Sequence, residues 1–117
     1  MTRYLLVQAA SYHLLVDATL VETVGDTAIA ENVDISRALG GNPASVFVTL
    51  AGPVRTRQLG VDKVHGLIDL AESDLSPLPP LVAAAAGEDI DAVTRTPHHG
   101  AHAFRLLLNR SSAPATT

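Results

Sequence analysis

The sequence predicts an all-β fold, a small barrel or sandwich. Two observations carry that reading: a succession of short apolar runs, and turn signals built on glycine, proline, asparagine or aspartate between them at near-regular spacing. At 117 residues the chain is one domain by length, large enough to bury a core but not two independent ones. Hydrophobic residues make up 47% of it and aromatics only 3%, so that core is built from alanine, leucine and valine.

Taken in order, Tyr4 to Ala9 is a short apolar run that reads as the first strand. After a polar break at Ser11, Tyr12 to Asp17 is the second, with Leu14, Val16 and Ala18 facing one side and His13, Leu15 and Asp17 the other. Two strands so close in sequence predict a hairpin. The run resumes from Leu20 to Val24 and stops at the turn pair Gly25-Asp26. Thr27 to Ile35 is a further strand of mixed pattern. Ser36 to Leu39 reads as a single helical turn closed by Gly40-Gly41, since glycine accepts the left-handed conformation that ends a helix.

Ser45 to Leu50 is the cleanest strand, rich in β-branched and aromatic types. Gly52-Pro53 then turns the chain into Val54 to Leu59, where alternation puts Arg55 and Arg57 on one face. Leu59 to Leu70 is predicted as one long or bulged strand, with Gly60 and Gly66 marking bulges or close backbone approach. Leu75 to Leu81 holds three prolines and is an extended connector, excluded from the middle of a sheet. The alanines of Val82 to Gly87 suggest a short helix. Asp89 to Arg95 and Ala103 to Leu108 flank Pro97-His98-His99-Gly100 and form a closing hairpin. The domain is placed at 1–109, and 110–117, without an apolar anchor, is read as a frayed tail.

Composition removes several classes of function. One lysine, seven scattered arginines and four Tyr or Phe residues give neither the basic face nor the stacking platform of a nucleic-acid binder, and the net charge is -4. Without cysteine there is no disulfide, thiolate zinc site or cysteine nucleophile. No signal peptide is evident at the start. The longest uncharged apolar stretch, Leu75 to Gly87, is too short and too broken by proline to cross a bilayer. A cytoplasmic protein with no membrane insertion is expected.

Side-chain constellations point to little chemistry. His98, His99 and His102 are the one metal-like set, candidates for zinc, copper or nickel. Adjacent histidines on a strand face opposite ways, so at most two converge, and a solvated loop is the plainer account; no metal and no cofactor is assigned. Glu88, Asp89 and Asp91 read as a turn and an exposed strand edge, and Asp62 with His65 as an exposed pair that need not meet. There is no Gly-x-Ser-x-Gly elbow and no glycine loop before Lys63, and no enzymatic activity is predicted. Arg55 and Arg57 suit either a partner's carboxylate or the charged defence of an edge strand.

Three stretches, in order, resemble the CheW family of chemotaxis adaptors. Tyr12 to Gly25, YHLLVDATLVETVG, resembles the family's second strand and its Val-x-Glu-Val-type continuation. Gly25 to Leu39, GDTAIAENVDISRAL, is similar to the strand that ends in the Asp-Leu-Arg-like start of a short helix. Gln58 to Leu81, QLGVDKVHGLIDLAESDLSPLPPL, has the Gly-x-Val-Asp-x-Val strand, acidic connector and proline-rich segment in the family's order. Asp89 to Asn109 fits the family's final hairpin. The series covers most of residues 3–109, and its weight rests on the order rather than on any single motif.

The resemblance implies two small β-barrel subdomains packed on each other, and a non-catalytic adaptor in bacterial chemosensory signal transduction. Its partners would be the regulatory domain of a CheA-type histidine kinase and the cytoplasmic tip of a chemoreceptor. Leu20, Val21 and Thr23 are the residues it offers as a partner surface, with Val61, Asp62 and Val64 as structural residues of the second barrel. One departure bears on the fold. The family's Gly-Val-x-Asn-Leu-Arg-Gly-like strand, whose arginine lies on the receptor side, has no counterpart here, since Val24-Gly25-Asp26 runs almost directly into Thr27. The first barrel is therefore expected to lack a strand and to leave an open edge for a partner's strand or a second copy. Other readings of the same residues are an unrelated β-barrel module for a peptide or small ligand, and a metal-binding protein using the histidine loop.

Overall fold

A computed structural model describes residues 1–29, 32–51, 58–78 and 89–107, with Asp89 and Leu107 described by backbone alone. The readings placed on Arg55 and Arg57, on Glu88, on Val82 to Gly87 and on the tail lie outside those residues.

Among the described residues, ten strands form two sheets. Strands β1 (Thr2–Ala9) and β2 (Tyr12–Asp17) make the expected hairpin, with Leu6 opposite Leu15 and Gln8 opposite His13. Both strands bury four consecutive residues, Tyr4 to Val7 and His13 to Val16. That continuity has a simple cause: the two faces of the hairpin serve two different cores, so neither face can be polar. Leu5, Val7, Ala9, Leu14 and Val16 enter the core between the sheets, while Tyr4, Leu6 and Leu15 enter a second cluster with Leu70, Leu75, Ala92 and Ala103.

After Asp17 the chain leaves this sheet. The Asp17 carboxylate accepts from the Thr19 N–H (3.0 Å) and hydroxyl (2.8 Å) and caps a 3₁₀ turn over Ala18–Leu20. Beyond it β3 (Val21–Gly25), β4 (Asn32–Asp34), β5 (Val46–Leu50) and β6 (Gln58–Val61) build the four-stranded sheet, ordered β3-β5-β6-β4. Between β4 and β5 stands the single helical turn α1 (Ile35–Ala38), followed by Gly40 at φ +90°. Asp34 caps it by accepting from Arg37 N–H (2.9 Å), and its other oxygen accepts from Ala44 N–H (3.0 Å). Of the strand predicted over Thr27 to Ile35, the described part is strand only at Asn32–Asp34.

The predicted single strand from Leu59 to Leu70 is two strands in two sheets. Residues Gln58–Val61 are all buried in the middle of the four-stranded sheet, and β7 (Lys63–Leu70) is an edge of the other. Asp62 is the corner: its N–H donates to Gln8 O (2.8 Å) and its carboxylate accepts from Ala10 N–H (2.7 Å). Val61, Asp62 and Val64 thus straddle the junction instead of belonging together to one barrel. The two glycines act as expected. A Cβ on Gly60 would stand 2.7 Å from Ala44 Cβ, and Gly66, at φ +131°, sits where β7 bulges against β1.

A 3₁₀ turn over Glu72–Asp74 leads to β8 (Leu75–Pro77), which takes the outermost place that its proline permits. Strands β9 (Asp89–Thr94) and β10 (Ala103–Leu107) form the closing hairpin, and β10 also runs parallel to β2. The six-stranded order is β7-β1-β2-β10-β9-β8. Neither sheet is a closed barrel. They are two packed β subdomains joined by one core to which both contribute, with Ile35, Val48, Leu50, Leu59 and Val61 from the smaller side.

Candidate partner-binding edge

The residues read as a partner surface divide on inspection. Leu20 accepts from Ala51 N–H (2.8 Å) through its carbonyl, and its side chain, like that of Val21, is half-buried against the shared core. Both anchor β3 to the sheet. Between Val21 and Thr23 the register with β5 slips by one residue at Glu22, and from there Thr23, Val24 and Gly25 pair regularly with Thr49, Val48 and Phe47. Glu22 to Gly25 are all exposed. Among the described residues no strand flanks the far side of β3.

Glu22, Thr23 and Val24 are exposed along this edge, Val24 at 46%, whereas Leu20 and Val21 pack inward. In sequence, an apolar pair beside a turn looks the same whether it docks a partner or plugs a core. Other strand edges among the described residues are blunted. The β7 edge carries the Gly66 bulge, Lys63 and the exposed Arg3–Asp69 ion pair (2.9 Å), while β4 and β8 are each only three residues long, β8 with Pro77.

Among the described residues no group of three or more histidines, aspartates or glutamates is placed to hold a metal ion. His102 Nδ1 donates to Thr94 O (2.8 Å) and is tied to β9. His98 forms a two-way backbone bridge with Ala101, and the positive φ of His99 (53°) and Gly100 (85°) between them is the signature of a type I′ turn. His99 stacks on His65, not on its neighbours, at a centroid distance of 4.7 Å. His65 in turn lies 5.0 Å from His13, whose Nδ1 donates to His98 O (3.3 Å). The rings that meet are 13, 65 and 99, so far apart in sequence that only the strand pairing brings them together.

The carboxylates also find partners. Asp62 serves Ala10 and His65 serves Gln8 Oε1 (3.1 Å), so the two do not pair, and both are half-buried where an exposed pair was expected. Asp91 is no exposed edge residue: it is the extra residue where β9 bulges against β10, and it forks onto Arg105 Nε (2.8 Å) and Nη2 (2.9 Å). Arg105 Nη1 reaches Glu72 (2.9 Å) and Tyr4 Oη (3.3 Å). The Asp91 fork, set against partial burial and aided by Tyr4 and Glu72, holds the guanidinium well above its already high value, so it stays cationic throughout. This cluster ties β10, β9, β1 and the 72–74 turn together.

No protein-family model matches the chain, and no curated protein matches it. A solved structure does: the scaffolding protein TtCheW from Thermoanaerobacter tengcongensis, at TM-score 0.65 and 16% sequence identity, covering 92% of this chain and 90% of that one. The chain has a CheW-like all-β fold.

Proposed function

We propose that the protein is a non-catalytic adaptor in a bacterial chemosensory pathway, docking the regulatory domain of a CheA-type histidine kinase and, secondarily, a chemoreceptor tip. The observation that carries this reading is likeness to a scaffolding protein over 92% of the chain. Fold alone does not fix function, so the exposed β3 edge supplies the second support. Among the described residues no strand pairs with its outer side, which suits it to extend a partner's sheet; Val24 offers apolar contact, and Glu22 is a rim charge that can select the partner. A cytoplasmic location goes with this role. No helix among the described residues is long and apolar enough to cross a membrane.

The test is calorimetry and sedimentation with the kinase regulatory domain from the same genome. Val24→Glu is the informative variant, because Val24 is exposed and its replacement leaves the core intact, whereas Val21 packs against that core. Micromolar binding, weakened roughly tenfold or more by Val24→Glu, is the expected result. Absence of binding between two folded proteins rejects the adaptor reading. Self-association that Val24→Glu abolishes, with no kinase binding, assigns the edge to a second copy of the chain instead.

A further inference from the structure

We propose that the stacked rings of His13, His65 and His99 form a pH-operated latch that holds the 98–101 turn against the six-stranded sheet. Each ring comes from a different element: His13 from β2, His65 from the bulge of β7, His99 from the turn itself. Their centroids are 5.0 Å and 4.7 Å apart, and the His65–His99 planes lie within 25° of parallel. The bulge is what makes the contact. It leaves His65 without a cross-strand partner on β1 and turns it toward Gln8 and His13.

The polar partners of the stack are all uncharged when the rings are neutral. His65 Nε2 donates to the Gln8 amide oxygen and His13 Nδ1 to the His98 carbonyl, while Ala103 stands opposite His13 on β10. The charged or titratable groups around it are few. They are His13 from β2, His98 and His99 from the turn, and Lys63 and Asp62 at the start of β7. The Asp62 carboxylate is engaged by Ala10 N–H, and among the described residues no carboxylate hydrogen-bonds any of the three rings. A proton taken up by the stack therefore meets a second imidazole and Lys63, with no carboxylate bonded to the rings among the described residues to offset it.

Burial first, and then the proximity of His13, His99 and Lys63, hold His65 below the ordinary histidine value of about 6.5. The sign follows from linkage. Near and somewhat below that value the unfolded chain, or a released turn, binds more protons than the latched form. The latch is thus fully effective above about pH 6.5 and is lost as pH falls through the lowered value. Opening it frees the turn and bares His13, otherwise 6% exposed, at the end of β2.

Ring resonances of the five histidines, followed by NMR from pH 8 to 5.5 together with the Gly100 and Ala101 amides, test this on the intact chain. His65 is expected to titrate below the ordinary value, with the two amides moving at the same midpoint. His99→Asn is the companion variant, since asparagine accepts the positive φ of that position and the turn is exposed. It should raise the His65 midpoint and uncouple the amides from it. A His65 that titrates at or above the ordinary value overturns the proposal, as do amides indifferent to the ring or a midpoint that His99→Asn leaves unmoved.

Discussion

Gln58 does with one side chain what a strand would do along a whole edge. Buried in β6, it accepts from Ile29 N–H (2.8 Å) and donates to Thr27 O and Thr49 Oγ1 (both 3.1 Å), so a carboxamide stands in for a peptide group. The segment after β3 is thereby pinned to the four-stranded sheet without a ladder of its own. Gln58→Leu fills similar space but strands those backbone groups, each at about 1–3 kcal/mol if it stays dry. Urea denaturation should register a loss of about 2 kcal/mol or more, and hydrogen exchange should show the Ile29 amide unprotected. Gly66 is the other decisive single residue. Gly66→Ala forces a side chain into φ +131° and is expected to cost about 1–3 kcal/mol, whereas Gly25→Ala, with nothing within 4 Å, stays within about 0.5.

Strands with one local reading were legible; strands whose meaning is set by a partner were not. The β1–β2 hairpin, the capped turn at 35–38, β5 and the β9–β10 hairpin follow from runs, turns and caps that need no tertiary information. The stretch 59–70 does not, because its apolar content passes unbroken from one sheet to the next and only Asp62 marks the corner. That corner predicts its own test. Asp62→Ala removes a charge-assisted bond to Ala10 N–H and should destabilise the fold by about 1.5–3 kcal/mol in chemical denaturation. The open edge expected from the missing strand lies at β3 among the described residues, where Glu22, Thr23 and Val24 are exposed while Leu20 and Val21 pack against the core. The histidine stack left no trace in sequence at all: a β-bulge and two strand pairings create it.

At the scale of the molecule, the shared core makes each sheet the other's lid. Leu59→Ala, deep in the smaller sheet and fully buried, should cost about 2–5 kcal/mol and weaken amide protection in β1 and β2 as well as in β5. Thermal unfolding followed by far-ultraviolet circular dichroism and by tyrosine fluorescence should give one coincident transition, and separated midpoints would mean that the sheets melt independently. The pairing of β10 beside β2 has a further effect, felt during synthesis. At about 5–20 residues per second the ribosome needs roughly 5–20 s to bring Ala103 out after His13, to which it is paired. Through that interval the nascent hairpin has both faces greasy and one flank vacant. Until β10 arrives that flank stays unsheltered, which makes the unfinished chain a natural client for a chaperone.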